Sequence, residues 1–331
     1  MRLRHVFVAV PATDAVATDP ASRELLAIVA TPDAADDEAE ASGGFDEVLV
    51  YLHGFPDMAV HPAKATFASR MPSKLAEFWL QRSQPHPRAA FIAFNFGGVP
   101  GSDSHLRFAD KAISKELEDA VAVCKYARRH LLQSDSVDAP PGKLHVVGLS
   151  TGAIVASLLR DQQVADSITV IAGLLDLAGG VQFDFSPLQL EQCAASGMCW
   201  KEFYLPQDCP LPKNAELSLD GVHPTTELTD SGSDRIPGKL YVRLNQRYVH
   251  ECQDGSLDIR RAVSGTSLPP LLVVHGDADK NVPFHNGEEL FAAAAEPKTF
   301  LAIPRANHLL SNSKHLKRAM RAIEEHVAVV Q

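Results

Sequence analysis

Apolar and polar positions fall into two rhythms along this chain. The first is a short, unbroken apolar run: "EVLVYL" (47–52), "AAFIAFNF" (89–96), "KLHVVGLS" (143–150), "SITVIAGL" (167–174), "PPLLVVHGDAD" (269–279) and "KTFLAIP" (298–304). Runs of this length, rich in Val, Ile and Leu, read as strands buried on both faces. The second rhythm spaces apolar residues three and four apart, as in "KATFASRMPSKLAEFWLQ" (64–81), "ISKELEDAVAVCKYARRHLL" (113–132), "NGEELFAAAAE" (286–296) and "SKHLKRAMRAIEEHVAVV" (313–330). That spacing places them on one face of a helix. "TGAIVASLLR" (151–160) also reads as helix. Strands alternating with helices predict an α/β fold with a mostly parallel central sheet and helices on both faces. Two earlier runs, "HVFVAV" (5–10) and "ELLAIVA" (24–30), are separated by polar, turn-rich residues and read as an antiparallel pair.

Two stretches break the rhythm. "TPDAADDEAEASGG" (31–44) is acidic and built of small residues, and reads as a mobile solvent loop. Residues 176–266 hold Pro-, Cys- and Asp-rich segments, with Trp200, Phe203 and Tyr204 among short periodic pieces. A structureless loop that long is rare inside a compact domain, so an inserted lid with its own small core is expected. The chain then divides into a first core part at 1–175, a lid at 176–266 and a second core part at 267–331.

Composition narrows the function. Hydrophobic residues make up 45% of the 331 positions and charged residues 22%, enough to build a core without metal or disulfide. The net charge of −10 argues against nucleic acid as a partner, because phosphate contacts need a basic surface. No stretch approaches the ~18 apolar residues of a membrane span. The apolar run near the N-terminus is broken by Pro11, is short for a signal peptide, and reads as a first strand. Five cysteines without a C-x-x-C pair fit reduced thiols and a cytoplasmic location. The spacing of Cys193, Cys199 and Cys209 fits no common zinc pattern, and neither metal nor cofactor is expected.

One pentapeptide carries chemistry. Gly148-Leu149-Ser150-Thr151-Gly152 is G-x-S-x-G placed between a strand and a helix. A turn that tight strains the central residue, and glycines two before and two after it remove side chains that would clash. The serine is then raised over the carboxyl edge of the sheet, above a helix N-terminus. On this motif the chain resembles the serine-type α/β-hydrolases, in the broad group of serine aminopeptidase-like, monoacylglycerol lipase-like and carboxylesterase proteins. The resemblance covers nearly the whole chain, apart from the acidic loop and the details of the lid.

The resemblance implies partners for Ser150. "HGDADKNVP" (275–283) is similar to the family's H-G-x-x-D-x-x-V-P and assigns the acid to Asp279, with Asp277 and Asp176 as rivals. "FLAIPRANHLLS" (300–311) puts His308 where the family keeps its base, with His285 as rival. The N–H of Thr151, at the helix start, is expected to face a developing oxyanion. In the family the residue after His-Gly supplies the second donor, which here is Phe55 in "HGFPD" (53–57). Pro56 has no N–H to donate and is expected to stiffen the turn. "FNFGGVPGSD" (94–103) departs from the family's Asp-x-Arg-Gly turn, with Asn95 and Gly97 in place of the charged residues. Trp200, Phe203 and Tyr204 are candidates for substrate contact.

His-Gly-x-Pro after a strand also suits enzymes that open epoxides, but those resembling this fold carry a carboxylate at the elbow, where this chain has Ser150. The expected activity is cleavage of a carboxylic ester through an acyl-enzyme, on a small ester or short acyl substrate. A peptidase or amidase with the same triad, and a non-catalytic receptor or scaffold on a hydrolase fold, are the alternatives.

Overall fold

In the computed structural model the described residues are 1–11, 23–33, 44–55, 57–82, 88–132, 141–206, 208–210 and 239–329. The acidic stretch at 34–43, Pro56 and the segment 211–238 lie outside them, so the expectations of a mobile acidic loop and of a stiffening proline are not addressed.

The apolar runs become strands β1 (Arg2–Val10), β2 (Arg23–Thr31), β3 (Glu47–Leu52), β4 (Ala89–Phe94), β5 (Lys143–Leu149), β6 (Ser167–Ile171), β9 (Leu271–Gly276) and β10 (Lys298–Ile303), and two more strands, β7 (Met198–Tyr204) and β8 (Lys239–Asn245), lie in the stretch that breaks the rhythm. Eight of them form one sheet in the order β1-β2-β4-β3-β5-β6-β9-β10. β1 and β2 pair antiparallel, with Phe7 opposite Leu26, and β2 also runs antiparallel to β4. From β4 to β10 every pairing is parallel. The sheet is mostly parallel, as the alternating pattern predicts.

The period of two along each strand explains why the runs are apolar throughout. Val48, Val50 and Leu52 of β3 enter one core, and Leu49 and Tyr51 enter the other; Ala90, Ile92 and Phe94 of β4 part in the same way from Phe91 and Ala93. Both faces are therefore covered. Helix α1 (Arg70–Gln81) covers one face with Met71, Leu75 and Trp79, beside the C-terminal helix, labelled below as α9. Helices α2 (Ile113–His130) and α3 (Thr151–Leu159) cover the other. Every residue of α3 is buried, so it lacks the polar stripe of a surface helix.

The predicted helix at 64–81 begins only at Arg70. Residues ahead of it turn back instead, and Phe67 bridges to Val60 and packs edge-on against Phe91 at 5.7 Å. Pro72 stands in the first helical turn, where a missing N–H leaves no intrahelical bond unmade.

Between β6 and β9 the chain makes an excursion through α4 (Leu177–Asp184), α5 (Pro187–Ser196), β7, β8, α6 (Arg247–Gln253) and α7 (Ile259–Ser264). β7 and β8 pair antiparallel apart from the main sheet, with Cys199 opposite Leu244. A capping box frames the start of α5: Ser186 Oγ accepts from Gln189 N–H, and Gln189 Oε1 accepts from Ser186 N–H. Among the described residues of this excursion, the buried apolar side chains do not form a cluster of their own. Cys193, Cys199, Phe203, Tyr248 and Val249 merge with the apolar cluster of α2 and α3. The last helices are α8 (His285–Ala293) and α9 (Ser313–Ala328).

β3 sits between β4 and β5, so the chain leaves β3 and β5 toward opposite sides of the sheet. A crevice forms at the carboxyl ends of strands where directions part in this way. The loops after β3 and β5 flank it, with Leu52 and Gly148 as paired neighbours at its lip.

Candidate active site

The elbow after β5 is built as the glycines require. Ser150 adopts φ 57° and ψ −120°, a conformation that costs an L-residue energy and persists only when its surroundings enforce it. Its N–H donates to Ile171 O at 3.0 Å, and its carbonyl accepts from Ala153 N–H at 2.8 Å. A Cβ on Gly148 would lie 2.0 Å from Gly152 O, and one on Gly152 would lie 2.3 Å from Leu52 O. The elbow is thus pressed against the end of β3. Thr151 opens α3, and among the described residues neither its N–H nor that of Phe55 has an acceptor.

The loop after β3 lies against the serine: a Cβ on Gly54 would be 3.0 Å from Ser150 Cβ and 3.6 Å from its Oγ. His53 orients this loop. Its Nε2 accepts from Phe96 N–H at 3.2 Å, so its proton resides on Nδ1, which donates to Gly54 O at 2.8 Å. Burial lowers the His53 pKa to about 3, so the ring is neutral and the tautomer is fixed by its two partners. Asp57 N–H donates to the same carbonyl at 3.2 Å. In a trans peptide the C=O and the following N–H point opposite ways, so holding Gly54 O inward turns Phe55 N–H outward. Asn95 secures the next stretch. Its Oδ1 accepts from Ala59 and Val60 N–H, both at 2.9 Å, and its Nδ2 donates to Val60 O at 2.8 Å and Pro100 O at 3.0 Å. The departure from the Asp-x-Arg-Gly turn therefore supplies a fully bonded buried amide.

Asp279 and His308 come together from the turns after β9 and β10. Asp277 N–H donates to Ile303 O at 3.2 Å, and Ala278 N–H to Ala306 O at 3.1 Å, which join the two turns. Asp279 Oδ2 is 2.8 Å from His308 Nδ1, while Oδ1 accepts from Asn281 N–H at 2.9 Å and Val282 N–H at 3.0 Å. Burial alone would raise the Asp279 pKa. Hydrogen bonds from His275 and His308, together with the Val282 N–H, hold it far below the usual carboxylate range instead. His275 Nε2 donates to Val282 O at 2.9 Å and lies 3.5 Å from Asp279 Oδ2. The carboxylate directs the His308 proton to Nδ1 and leaves Nε2 free to accept one. Among the described residues no hydrogen bond joins His308 to Ser150 Oγ; such contacts often close only when substrate is bound.

The rival residues stand elsewhere. Asp277 is exposed and accepts from Arg305 N–H at 2.5 Å. Asp176 is exposed at the N-cap position of α4, and His285 is exposed at the start of α8. Of the candidate contact residues, Phe203 is buried and meets Phe108 edge-on at 5.3 Å, and Phe108 stacks on Phe55 at 5.8 Å. Trp200 is half-buried, its carbonyl accepting from Gln189 Nε2 at 2.7 Å. Tyr204 is exposed, with its hydroxyl 3.2 Å from Glu202. Tyr248, from α6, also stacks on Phe55, at 5.3 Å. No local pattern in the sequence marks it. All five cysteines are buried free thiols. Among the described residues no group of three or more His, Cys, Asp or Glu is arranged to hold a metal ion.

No protein-family model matches the chain. Curated relatives match locally: the uncharacterized protein YfhR of Salmonella typhi is 38% identical over 74 residues, 22% of this chain and 22% of that protein. Its namesake in Escherichia coli K12 is 34% identical over 74 residues, with the same 22% shares. The match thus spans about a fifth of the length of these relatives. Solved structures match over almost the whole chain. The esterase domain of a Rhodothermus marinus protein has a TM-score of 0.57 at 15% identity, covering 98% of this chain and 96% of that one. Est1E from Butyrivibrio proteoclasticus has a TM-score of 0.59 at 14% identity, covering 98% of each. A putative hydrolase from Agrobacterium vitis S4 has a TM-score of 0.60 at 17% identity, covering 98% and 99%. At such identities the likeness speaks for the fold. The chain has the α/β-hydrolase fold, as its motifs led us to expect, and no described helix is long and apolar enough to cross a membrane.

Proposed function

We propose that this protein is a serine hydrolase that cleaves carboxylic esters of small molecules through an acyl-enzyme. The observation that carries the reading is the 2.8 Å contact between Asp279 and His308, formed at the same sheet edge that presents Ser150 on a strained elbow. Ser150 Oγ attacks the ester carbonyl while His308 Nε2 takes its proton. Asp279 holds the imidazolium that results, and His308 returns the proton to the departing alcohol. Water, activated by the same histidine, then releases the acid.

Phe55 and Thr151 N–H stabilise the oxyanion, each donor contributing about 2.7–4 kcal/mol in sites of this kind. Their lack of acceptors and the closeness of the Gly54 loop to Ser150 support this role. The segment 176–266 acts as a lid; its Tyr248 stacks on Phe55, and its Phe203 is joined to Phe55 through Phe108. Trp200 and Tyr204 serve the substrate only if the lid moves. Buried free thiols suit a cytoplasmic location.

Labelling by a fluorophosphonate probe tests the reading. Wild type is expected to label and S150A is not; a folded wild type that fails to label refutes it and favours a non-catalytic receptor. A panel of p-nitrophenyl esters beside aminoacyl-arylamides separates an esterase from an amidase.

A further inference from the structure

Helix α2 lacks a cap from its own sequence. Its N-cap position is Ala112, whose side chain has no oxygen to accept from the free N–H groups of the first turn. Glu251 of α6, 137 residues beyond Ser114, takes that place. Its Oε2 accepts from Ser114 N–H at 3.0 Å and its Oε1 from the Ser114 hydroxyl at 2.9 Å, while Arg247 Nε donates to Oε1 at 2.9 Å. A carboxylate is favoured at this end of a helix, and Glu251 is buried there. Asn245, just ahead of α6, makes a second tie. Its Nδ2 donates at 2.8 Å to Oδ1 of Asp110, in the single turn Phe108–Asp110 that precedes α2. The proposed lid is thus docked on the core by hydrogen bonds at two neighbouring points.

Tyr248 stands three positions before Glu251, on the same face of α6. Docking sets its ring against Phe55, with centroids 5.3 Å apart and planes inclined by 24°. Phe108, from the turn that Asn245 holds, stacks on Phe55 at 5.8 Å and 25°. The Phe55 ring therefore has one wall from the core and one from the proposed lid. Tyr248 is only 1% exposed and Phe55 8%. The buried Tyr248 hydroxyl has no hydrogen-bond partner among the described residues, so the ring does the holding.

That hold matters because of the residue before Phe55. A Cβ on Gly54 would stand 3.0 Å from Ser150 Cβ, so the position needs glycine, and glycine leaves the backbone free to turn. His53 and the Asp57 N–H secure the Gly54 carbonyl at one end of the peptide. At the other end, the N–H and Cβ of Phe55 share one Cα, so a ring that cannot shift keeps the N–H aimed. We propose that Tyr248 is a positioning residue: docking of α6 pins the Phe55 ring and thereby points the Phe55 N–H at the oxyanion. The oxyanion hole is then complete only while the lid is docked. The inference rests on the hydrolase reading above. It makes the rate of the chemical steps, rather than affinity for the ester, the quantity that the lid controls.

The test measures hydrolysis of p-nitrophenyl butyrate by the full chain, per site titrated with a fluorophosphonate, beside inhibition by butylboronic acid, which mimics the tetrahedral adduct. The variants are Tyr248→Leu, Tyr248→Phe, Glu251→Ala and the Tyr248→Leu, Glu251→Ala double. Tyr248→Leu should lower kcat by about tenfold or more, within the roughly 10²–10³ that a lost oxyanion donor costs, with KM changed less than about twofold. Boronate affinity should fall by the same factor as kcat. Tyr248→Phe, which keeps the ring, should restore kcat to near wild type. Glu251→Ala leaves the core filled and should lower kcat in the same way but less. The double variant should lose no more than Tyr248→Leu, because both changes act through one contact. Wild-type kcat in a folded Tyr248→Leu overturns the proposal, as do a loss carried by KM with boronate affinity unchanged and losses that multiply in the double variant. A Tyr248→Phe as slow as Tyr248→Leu overturns it too, since the hydroxyl would then be the group at work. If Tyr248→Leu does not fold, kcat and boronate affinity in Glu251→Ala decide. A wild type that the fluorophosphonate does not label refutes the hydrolase reading and the inference with it; a labelled one with insensitive kcat refutes the role of Tyr248 alone.

Discussion

Replacing His53 by leucine tests whether the oxyanion loop is set by a buried imidazole. Two bonds disappear: the donation to Gly54 O at 2.8 Å and the acceptance from Phe96 N–H at 3.2 Å. The buried Phe96 N–H is left without a partner, at a cost of about 1–3 kcal/mol in stability. The catalytic cost follows from the peptide plane. With its carbonyl held only by the Asp57 N–H at 3.2 Å, the Gly54–Phe55 peptide can rotate and carry the Phe55 N–H away from Ser150. Complete loss of that donor is worth about 2.7–4 kcal/mol, or roughly 10²–10³ in kcat, which bounds the effect from above. The loss should fall on kcat with KM little changed, and affinity for a boronate that mimics the tetrahedral adduct should fall by a similar factor. Acid unfolding supplies an independent measure. His53 has its pKa lowered from 6.5 to about 3 by burial, so between those values the unfolded chain binds the proton and the folded one does not. Its contribution is fully present above pH 6.5 and is lost as pH falls toward 3, by up to about 5 kcal/mol at 1.36 kcal/mol per tenfold change in proton affinity. Urea titrations across this window should show a shallower pH dependence in His53→Leu than in wild type. Unchanged kcat and an unchanged acid slope in a folded variant would refute the reasoning.

Asp279→Asn should lower kcat by roughly 10³–10⁴ without unfolding the protein, because the amide favours the wrong tautomer of His308; steady-state rates beside circular dichroism check it. The lowered pKa of Asp279 stabilises the fold above the ordinary aspartate range, and this is lost as pH falls through that range and below; the variant should lose this part of acid sensitivity in denaturant titrations. Gly148→Ala is expected to abolish soluble expression or activity, since its Cβ would stand 2.0 Å from Gly152 O; a soluble, fully active variant would contradict the packing of the elbow. Arg160→Met should cost about 3–5 kcal/mol in urea unfolding. The guanidinium donates to Val263 O at 2.6 Å, Ala295 O at 2.8 Å, Pro269 O at 3.0 Å and Pro297 O at 3.3 Å; Val263 O and Pro297 O would keep the N–H groups of Ala295 and Leu271, whereas Ala295 O and Pro269 O would lose the guanidinium without that backup.

The sheet was legible because its information is local. A strand buried on both faces must be apolar on both, and β4 is so at every position, while β3 and β9 depart only at Glu47 and His275. Ser150 was legible for a similar reason, since two glycines and one strained residue in five positions define the turn. The start of α1 was less so, because apolar periodicity continues into Phe67, which packs on the same core without being helical. His53, His275 and Asn95 escaped notice as supporting groups, since their partners lie far away in sequence or on backbone atoms. The same holds for Tyr248. Its environment comes from the excursion folding back onto α2, α3 and the β3 loop, and no spacing of letters encodes that contact.

The four strands whose ends meet at the crevice have a consequence for biosynthesis. β3 and β5 bring Phe55 and Ser150, but Asp279 and His308 follow β9 and β10, which come later in the chain. On the proposed reading, a polypeptide still emerging from the ribosome would therefore carry the serine before its base and acid. Reactivity would be deferred until β9 and β10 have joined the sheet.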